Sequence, residues 1–429
     1  MTPDLRSSAI DLLTTLARPE EVRAEALRLG VKRRQGKIDM YSLLMVVVLG
    51  LVLRGPTSIS QLGELYGDVT GQRLARSSFW ARLNGPFSRL VSWLLDSVVQ
   101  GSRCPRSRPP GVLCGFTDVL AADSSVVKVP DRLRSVWKGT RRNSAKAALK
   151  VHAWIRVFTG ELVKYRITAE AYGDSRAFGV DHALRGVLML FDRGYASPSL
   201  WRRIDSVGGY FLTRIPKGWN QVVVSENRRH RGRARSLVGS SLKEVLKGLK
   251  RSVVDVNASF RCRVRAYAGG TSRMVEQQFR VIALRRPDGE YALYATNAPE
   301  RLLPAEEVWN IYRLRWEVET FFKTAKSGCA LADTPSRDRH RVETLVFAAL
   351  LRATLAMKAK ARFVVLVPAR HSRRINPGQW MRWWNRQLHT LLDDLIFNDT
   401  PLDNQALFDM LADPNVSRVP SRNAFREAA

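Results

Sequence analysis

The chain is poor in the residues that build disulfide frameworks and zinc sites. Its 429 residues include only four Cys and six His, with no CxxC pair and no HExxH motif. Isolated thiols without zinc-ligand spacing are typical of a cytosolic protein whose cysteines stay reduced. The composition therefore disfavours both a secreted disulfide scaffold and a zinc enzyme.

Long apolar runs are also scarce. The longest, Met40 to Leu53, covers about 14 residues and includes Ser42 and Gly50, whereas a membrane-spanning helix needs about 20. The opening residues MTPDLRSSAIDLL do not have the pattern of a secretory signal. We therefore expect a cytoplasmic protein without membrane association, in which the apolar run forms a buried core helix.

Acidic residues are strongly outnumbered. The chain has 70 Lys and Arg against 39 Asp and Glu, a net charge of +31. An excess of this size indicates a polyanionic partner, above all nucleic acid. An anionic membrane surface is the alternative, but the sequence offers no lipidation motif and no basic amphipathic anchor for it.

Residues 1–100 read as helical, and residues 101–114 as a Pro- and Arg-containing linker. Two short helices, Ile59 to Tyr66 and Phe79 to Leu83, are predicted from Ser and Gly boundary signals. They resemble a helix-turn-helix DNA reader, with a generic helical hairpin as the alternative. Three basic residues accompany the second helix: Arg73, Arg76 and Arg82.

From residue 115 the pattern changes to β-like runs alternating with helical ones. The predicted strands lie at 119–122, 148–157, 162–168, 187–191 and 209–214, and the helices at 175–184 and 198–204. Three antiparallel strands followed by helix, strand, helix and strand are typical of a mixed sheet with helices on both faces, as in the ribonuclease H-like fold. We expect this α/β core to comprise residues 115–215 and 298–330.

Two further regions complete the predicted organisation. Residues 216–297 contain short β-like runs, among them 252–256 and 261–268, and a basic cluster at 228–235, which together predict a β-rich insertion domain. Residues 331–429 are predicted to form a helical C-terminal region with a loose tail from about residue 414.

Two acidic residues follow apolar strands directly. Asp123 comes after the run ending at Ala122, and Asp192 after the run ending at Phe191. A strand-terminal Asp is more often a turn or cap residue, but the ends of strands in open sheets are also where sites form. Asp118 competes with Asp123 and would point to the opposite face.

The stretch WNIYRLRWEVETFFKTAKSG, residues 309–328, is predicted to be one helix with no Pro and no internal Gly. At about 100° per residue, four of its polar residues fall within roughly 60° of arc. They are Tyr312, Arg315, Glu319 and Lys326. The neighbouring stripe is apolar, so the helix should pack on a core while presenting a carboxylate flanked by cations.

The spacing of these four residues resembles the YREK signature of the insertion-sequence-four group of DDE transposases. The Asp-Arg-Gly-Tyr sequence that begins at Asp192 is similar to that family's second-Asp motif, and Asp123 with the two serines after it is similar to the first. The resemblance extends over about residues 115–330 and selects Asp123 rather than Asp118. It implies a ribonuclease H-like catalytic core.

The resemblance also implies roles for individual residues. Asp123, Asp192 and Glu319 would bind two Mg²⁺ ions, for which Mn²⁺ would substitute; such hard cations prefer oxygen ligands and activate phosphodiester cleavage in pairs. Tyr312, Arg315 and Lys326 would hold phosphates of double-stranded DNA.

Three more DNA contacts are expected. Family members with an insertion domain cleave through a hairpin intermediate in which a flipped base stacks on a Trp, and Trp219 is the candidate here. The alternative is that Trp219 packs within its own region. Arg193 and Arg214 lie beside or on core strands and are further candidates, whereas His152 is expected to be structural.

The sequence thus predicts a cut-and-paste DNA transposase that binds terminal inverted repeats as a homodimer on DNA and joins the ends to target DNA. It would act in the cytoplasm of a bacterium or archaeon, at the nucleoid. Two alternatives remain: a nuclease on the same fold that does not join DNA, and a decayed transposase that only binds DNA as a repressor.

Overall fold

The computed structural model describes residues 18–31, 38–50, 59–71, 74–101, 108–140, 145–216, 218–228, 236–247, 249–265, 270–332, 334, 336–366 and 375–397. Several sequence predictions fall outside these residues. They are residues 5–17 of the predicted helical N-terminal region, Arg73, the arginines at 229–235 and the C-terminal tail.

The described residues before the first strand form helices. They are α1 Pro19–Arg28, α2 Met40–Gly50, α3 Ile59–Thr70, α4 Arg76–Arg82 and α5 Gly85–Gly101. Nearly every residue of α2 is buried, which confirms the predicted core helix. The two short helices, α3 and α4, are confirmed as helices, and their role as a DNA reader stays a prediction. No helix among the described residues is both long and apolar enough to cross a bilayer.

The centre of the molecule is one mixed sheet. In the described part of the chain its strands run in the order β3-β2-β1-β4-β5-β9-β8-β7-β6. They are β1 Asp118–Lys128, β2 Ala148–Arg156, β3 Leu162–Ala169, β4 Val187–Phe191, β5 Tyr210–Arg214, β6 Val223–Glu226, β7 Val253–Arg265, β8 Ser272–Arg285 and β9 Tyr291–Thr296. The pairs β1–β4 and β4–β5 are parallel and the other pairs antiparallel.

In the described part of the chain, three short α-helices connect these strands: α6 Asp174–Ala177, α7 Pro198–Ser206 and α8 Leu242–Leu246. Four α-helices of that part follow the sheet: α9 Val308–Arg313, α10 Trp316–Cys329, α11 Arg339–Leu366 and α12 Pro377–Phe397. The mixed sheet of the prediction is confirmed, and so are its first strands, with one exception described below for β1.

The strands of segment 216–297 extend this sheet and do not form one of their own. β9 pairs with β5 on one side and with β8 on the other, so the last predicted strand joins the two parts. The predicted strands at 252–256 and 261–268 are wrong as separate elements, because one strand, β7, pairs without interruption along β8. Asn257 and Ser259 interrupt the apolar run without interrupting the ladder.

Side-chain alternation along the strands separates two cores. In β1, Val119 and Ala121 face the first core, which also contains residues of α10 and of the flanking helices. Leu120 and Ala122 face the second core, which contains Trp201 of α7. Helices therefore cover both faces of the sheet, and the residue number along β1 decides which face a side chain reaches.

A buried ion pair fixes the chain that leads into α9. Arg280 on β8 donates two hydrogen bonds to Asp255 on β7, at 2.9 and 2.5 Å, and both side chains are almost fully buried. The same guanidinium donates to the backbone carbonyls of Ala298 and Leu303. These bonds hold the turn between β9 and α9 against the sheet.

Replacing Asp255 with Ala should strongly destabilise the protein, because the Arg280 guanidinium would stay buried without its counter-ion. The expected cost is about 3–5 kcal/mol, measured as a large fall in melting temperature. The matched control is Asp288→Ala, since Asp288 pairs with Arg286 at the surface, 3.2 Å away. That change should cost about 1 kcal/mol or less; equal effects of the two substitutions would contradict the structural role of the buried pair.

Candidate active site

Asp123 lies in the middle of β1, and the prediction that its strand ends at Ala122 is wrong. The strand continues to Lys128 by antiparallel pairing with β2, in register from Ser124–His152 to Lys128–Ala148. Two consecutive serines hide this continuation in a hydrophobicity pattern. What does end at this level is the parallel ladder, whose last pair is Ala122–Phe191. Asp123 is therefore level with the carboxyl end of β4.

Asp192 follows β4 immediately. Because Leu188 and Leu190 face the first core, alternation places Asp192 on the same face of the sheet as Asp123. The strand before it is fully buried, and the Asp192 carbonyl accepts a hydrogen bond from the hydroxyl of Thr213 on β5, 3.3 Å away. The two aspartates thus sit on adjacent parallel strands and face the helix that covers the first core.

Asp118 takes a different position, as its strand register predicts. Its carboxylate accepts a hydrogen bond from Arg156 of β2 at 2.9 Å, and Arg156 also donates to Glu161 at 2.9 Å. These ion pairs connect β1 to β2, which gives Asp118 a structural role. The choice of Asp123 over Asp118 remains a prediction that the geometry favours.

The covering helix is not one continuous element. It breaks at Leu314 and Arg315, between α9 and α10, which corrects the prediction of a single helix over 309–328. The break contains neither Pro nor Gly. Instead, the N–H groups of Leu314 and Arg315 bond to carbonyls three residues back, at 3.1 and 3.0 Å, so the chain tightens into a 3₁₀-like turn there.

Arg315 at this turn connects the acidic residues. Its guanidinium donates to Glu319 at 2.5 Å, one turn further along α10, and lies 3.4 Å from Asp123 on β1. The Arg315 side chain is only 9% exposed. The central carbon of its guanidinium lies 5.7 Å from the centre of the Tyr312 ring. A single buried cation therefore spans the helix carboxylate and the strand carboxylate.

The Asp123 carboxylate is in an unfavourable place for a negative charge. Burial raises its pKa to about 6, and the nearby charges of Asp192 and Glu319 also raise it. The backbone N–H of Ser124, 2.7 Å away, and the Arg315 guanidinium act in the opposite direction. All three predicted acidic residues therefore interact electrostatically in one place.

The three acidic residues carry the oxygen ligands that suit a divalent cation. Their side chains do not surround a common point in this structure. Carboxylate oxygens are the ligands that Mg²⁺ prefers, and added positive charge would relieve the repulsion at Asp123. Among the described residues, however, no three His, Cys, Asp or Glu side chains are arranged closely enough to hold a metal ion. The Arg315 guanidinium lies between two of the expected ligands, so bringing them together requires that ion pair to open.

The other residues of the predicted polar stripe differ in exposure. Tyr312 is buried, packs edge-on against Tyr294 with ring centres 5.1 Å apart, and has its pKa raised to about 12, chiefly by burial. Its hydroxyl has no hydrogen-bond partner among the described residues. Lys326 is exposed near the end of α10. The two therefore do not form one continuous surface with Arg315 and Glu319.

The two additional arginines lie near the acidic residues. Arg214 is the register partner of Tyr294 at the end of β5, and its charge acts on Tyr312. Arg193 directly follows Asp192 and is exposed. Both are positioned to meet a ligand that approaches the carboxyl ends of β4 and β5.

Trp219 packs in the second core region. Its ring centre lies 5.7 Å from that of Trp201 and 6.1 Å from that of Phe260, and it is partly buried. The contact with Phe260 is the packing alternative that the sequence left open, and the contact with Trp201 extends it to the predicted core. Base stacking on Trp219 stays a prediction, and it would have to use whichever part of the ring these contacts leave exposed.

Two features beside the site were missed from the sequence. Ser124 donates to Asp174 at 2.8 Å, and Lys150 donates to the same oxygen at 3.2 Å; only the β1–β2 register and the fold of α6 bring these residues together. Trp316 is 62% exposed and lies 5.9 Å from the Arg315 guanidinium. Trp316 lies outside the apolar stripe of the helix, and this position was the sequence signal for an exposed aromatic residue.

His152 is structural, as expected. It is fully buried, and its Nε2 lies 2.9 Å from the Thr168 hydroxyl. Burial lowers the pKa of His152 to about 4, so the ring is neutral near pH 7.

Replacing Asp123 with Asn should change how stability depends on pH when divalent ions are removed with EDTA. The folded-state pKa of about 6 lies above the roughly 3.9 of an unfolded chain. The protonated carboxyl therefore stabilises the fold at low pH, and this contribution is lost as the pH rises through about 6. Between pH 5 and 7 the unaltered protein should lose about 1 kcal/mol relative to the variant, measured by denaturant unfolding at each pH.

The control is Asp181→Asn. Asp181 pairs with Lys164, and its pKa is lowered, so its removal should shift stability by the same amount throughout this pH range. Identical pH dependences for the unaltered protein and Asp123→Asn would show that Asp123 does not have a raised pKa.

Comparison with known proteins gives one family match. The model of the family described as "Transposase DDE domain" matches residues 115–355, a span that includes β1, β4 and the α9–α10 helices.

Curated relatives include transposases of Bacillus thuringiensis. The transposase for insertion sequence element IS231E, from subspecies finitimus, is 20% identical over 379 residues, covering 82% of this chain and 79% of the relative. The transposase for IS231C, from subspecies berliner, is 21% identical over 384 residues, with 82% and 79% covered. Among solved structures, a piggyBac transposase synaptic complex with hairpin DNA matches with a TM-score of 0.47 and 11% identity, covering 96% of this chain and 86% of that one.

Proposed function

The chain belongs to the transposase DDE domain family, and we propose that it is a cut-and-paste transposase that binds terminal inverted repeats and joins the cut ends to target DNA. The family assignment confirms the resemblance found in the helix signature. It makes the protein a DNA transposase, and DDE transposases use divalent metal ions. How each strand is cut, which DNA ends are recognised and how the ends are joined belong to the proposal.

The proposed catalytic core is the ribonuclease H-like half of the sheet. Its strand order β3-β2-β1-β4-β5, with β2 and β3 antiparallel and β4 and β5 parallel to β1, supports this. Residues 115–215 and 298–330 would form the core, and 216–297 the insertion. Residues 1–100 would bind DNA, 101–114 would link, and 331–429 would form the C-terminal region.

The observation that carries the proposal is geometric: Asp123 and Asp192 are level on adjacent strands, and Arg315 of the covering helix contacts both Asp123 and Glu319. These three carboxylates would hold two Mg²⁺ ions, with Mn²⁺ as a substitute. When bound, the ions would activate the attacking oxygen and stabilise the leaving oxygen. The first substitution at phosphorus would use water and release a 3′-hydroxyl. That hydroxyl would then attack a target phosphorus and displace a target 3′-oxygen, with no covalent enzyme intermediate.

The cations around the carboxylates would bind and orient DNA. Arg315 would move from the carboxylates to a phosphate, which a planar guanidinium grips with two hydrogen bonds. Tyr312, with its unpaired hydroxyl, would donate to a phosphate nearby. Arg193, Arg214 and exposed Lys326 would extend the contact, and Trp219 would stack a flipped base. Two DNA ends must be held together, so a homodimer on DNA is part of the proposal.

Replacing Glu319 with Gln should abolish both strand cleavage and strand transfer while leaving DNA binding intact. The amide keeps the shape of the side chain and removes the anionic ligand, so activity on end-containing DNA should fall at least about a thousandfold. Products are separated on denaturing gels, and binding is measured by gel shift. The matched control is Glu317→Gln on the same helix, which should retain activity.

Strand transfer by Glu319→Gln at the rate of the unaltered protein would refute the assignment. Hydrolysed ends without joined products from the unaltered protein would support the nuclease alternative. Tight DNA binding with no cleavage by the unaltered protein would support the repressor alternative.

Replacing Asp123 with Asn should weaken Mn²⁺ binding in the absence of DNA. Losing a carboxylate ligand should cost at least about tenfold in affinity, measured by electron paramagnetic resonance of free Mn²⁺. Asp118→Asn is the control. Because Asp118 forms an ion pair with Arg156, this substitution should leave the Mn²⁺ affinity unchanged. Equal Mn²⁺ affinity of Asp123→Asn and the unaltered protein would remove Asp123 from the metal-binding set.

A further inference from the structure

An open groove of about 560 Å³ lies where the N-terminal helices meet the sheet and the start of α11. Its lining comes from three stretches that are far apart in sequence: α4, the turn after β1, and the segment leading into α11. The residues that carry its chemistry are Trp80, Arg132, Arg337, Asp338 and Arg341. None of them belongs to the carboxylate site or to the family signature.

The charge of the groove is positive and largely uncompensated. Arg132 and Arg337 are both exposed, and neither forms an ion pair with any described residue. Among the described lining residues the acidic one is Asp338, which accepts a hydrogen bond from the backbone N–H of Arg341 at 3.0 Å. Its carboxylate therefore caps the first turn of α11 instead of neutralising either exposed arginine.

The third arginine is held in place by Trp80. The Arg341 guanidinium lies 4.5 Å from the centre of the Trp80 ring, and Nη2 donates to the Trp80 carbonyl at 3.3 Å. Its Nε is buried with no acceptor among the described residues. A second guanidinium, that of Arg76, lies 5.6 Å from the ring centre. Trp80 thus contacts two cations.

The arrangement of arginines in the groove indicates which kind of ligand it binds. Several guanidinium groups spread along an open groove suit a chain of phosphates more than one small anion, because each phosphate can take a guanidinium with two hydrogen bonds. The position suits DNA as well. Arg132 follows β1, and Lys128 at the end of that strand is about 17 Å along it from Asp123. One helical turn of duplex DNA is about 34 Å, so a single duplex can reach from the groove to the carboxylates.

We propose that this groove, formed by Arg132, Arg337 and the Trp80-bound Arg341, binds the phosphate backbone of duplex DNA at a second contact beside the carboxylate site. The proposal rests on the proposed function only in that DNA is the substrate. The contact is independent of sequence, because phosphates carry no base information. Its effect is to hold the duplex between the N-terminal helices and the strand that carries Asp123.

The test measures DNA binding by the full chain in EDTA, where no metal-dependent cleavage occurs. The variants are Arg132→Ala, Arg337→Ala and the double change, and the probes are an end-containing duplex and an unrelated duplex of equal length. The slope of log affinity against log salt is negative, and each lost phosphate contact should reduce its magnitude by about 0.9. The double variant should bind both duplexes about tenfold or more weakly, and by the same factor.

Arg134→Ala is the matched control, because Arg134 is exposed in the same turn as Arg132 but does not line the groove. It should change the salt slope by much less than Arg132→Ala. Thermal melting of each variant checks folding, which should be unaffected since both groove arginines are exposed.

An Arg134→Ala loss equal to that of Arg132→Ala would overturn the groove as a specific contact, and so would an unchanged salt slope in the double variant. Either result leaves the roles of Asp123 and Glu319 untouched. Conversely, loss of binding in the groove variants would stand even if Glu319→Gln were fully active. No DNA binding by the unaltered protein would overturn both proposals.

Discussion

The burial of one carboxylate, that of Asp123, is the constraint around which the site is arranged. Asp123 and Asp192 face the same core from adjacent parallel strands, and Glu319 approaches from the helix above. Burial is the main cause of the raised pKa of Asp123, and the charges of Asp192 and Glu319 add to it. The Arg315 guanidinium opposes this effect by contacting both Asp123 and Glu319, and the break between α9 and α10 falls at the residue that carries this charge.

The strand β1 connects the carboxylate site with the basic groove. Its parallel side supports Asp123 next to β4, and its antiparallel extension along β2 leads to the turn that contains Arg132. The groove on that turn is completed by α4 and the start of α11. On a protein of net charge +31, β1 thus links the carboxylates to a region of positive charge.

The hydrophobic pattern predicted most of the sheet because each strand buries side chains at a fixed period. Val187–Phe191 is apolar throughout and fully buried, so its boundaries were read correctly. The pattern failed at β1, where Ser124 and Ser125 look like a loop but pair with β2. It also failed at β7, which Asn257 and Ser259 appear to divide. In both cases the hydrogen bonds to a neighbouring strand outweigh local polarity.

The sequence by itself determined the family, predicted the acidic residues of the site, and separated the face of Asp118 from that of Asp123. These follow from residue identity, spacing and the periods of helix and strand, all of which are local. Only the tertiary structure decided that Arg315 bridges Asp123 and Glu319, that Trp219 packs against Trp201, and that residues from α4, the turn after β1 and α11 form one groove. Those contacts join residues far apart in the chain, and their partners are fixed by sheet order and helix packing, which no local pattern encodes.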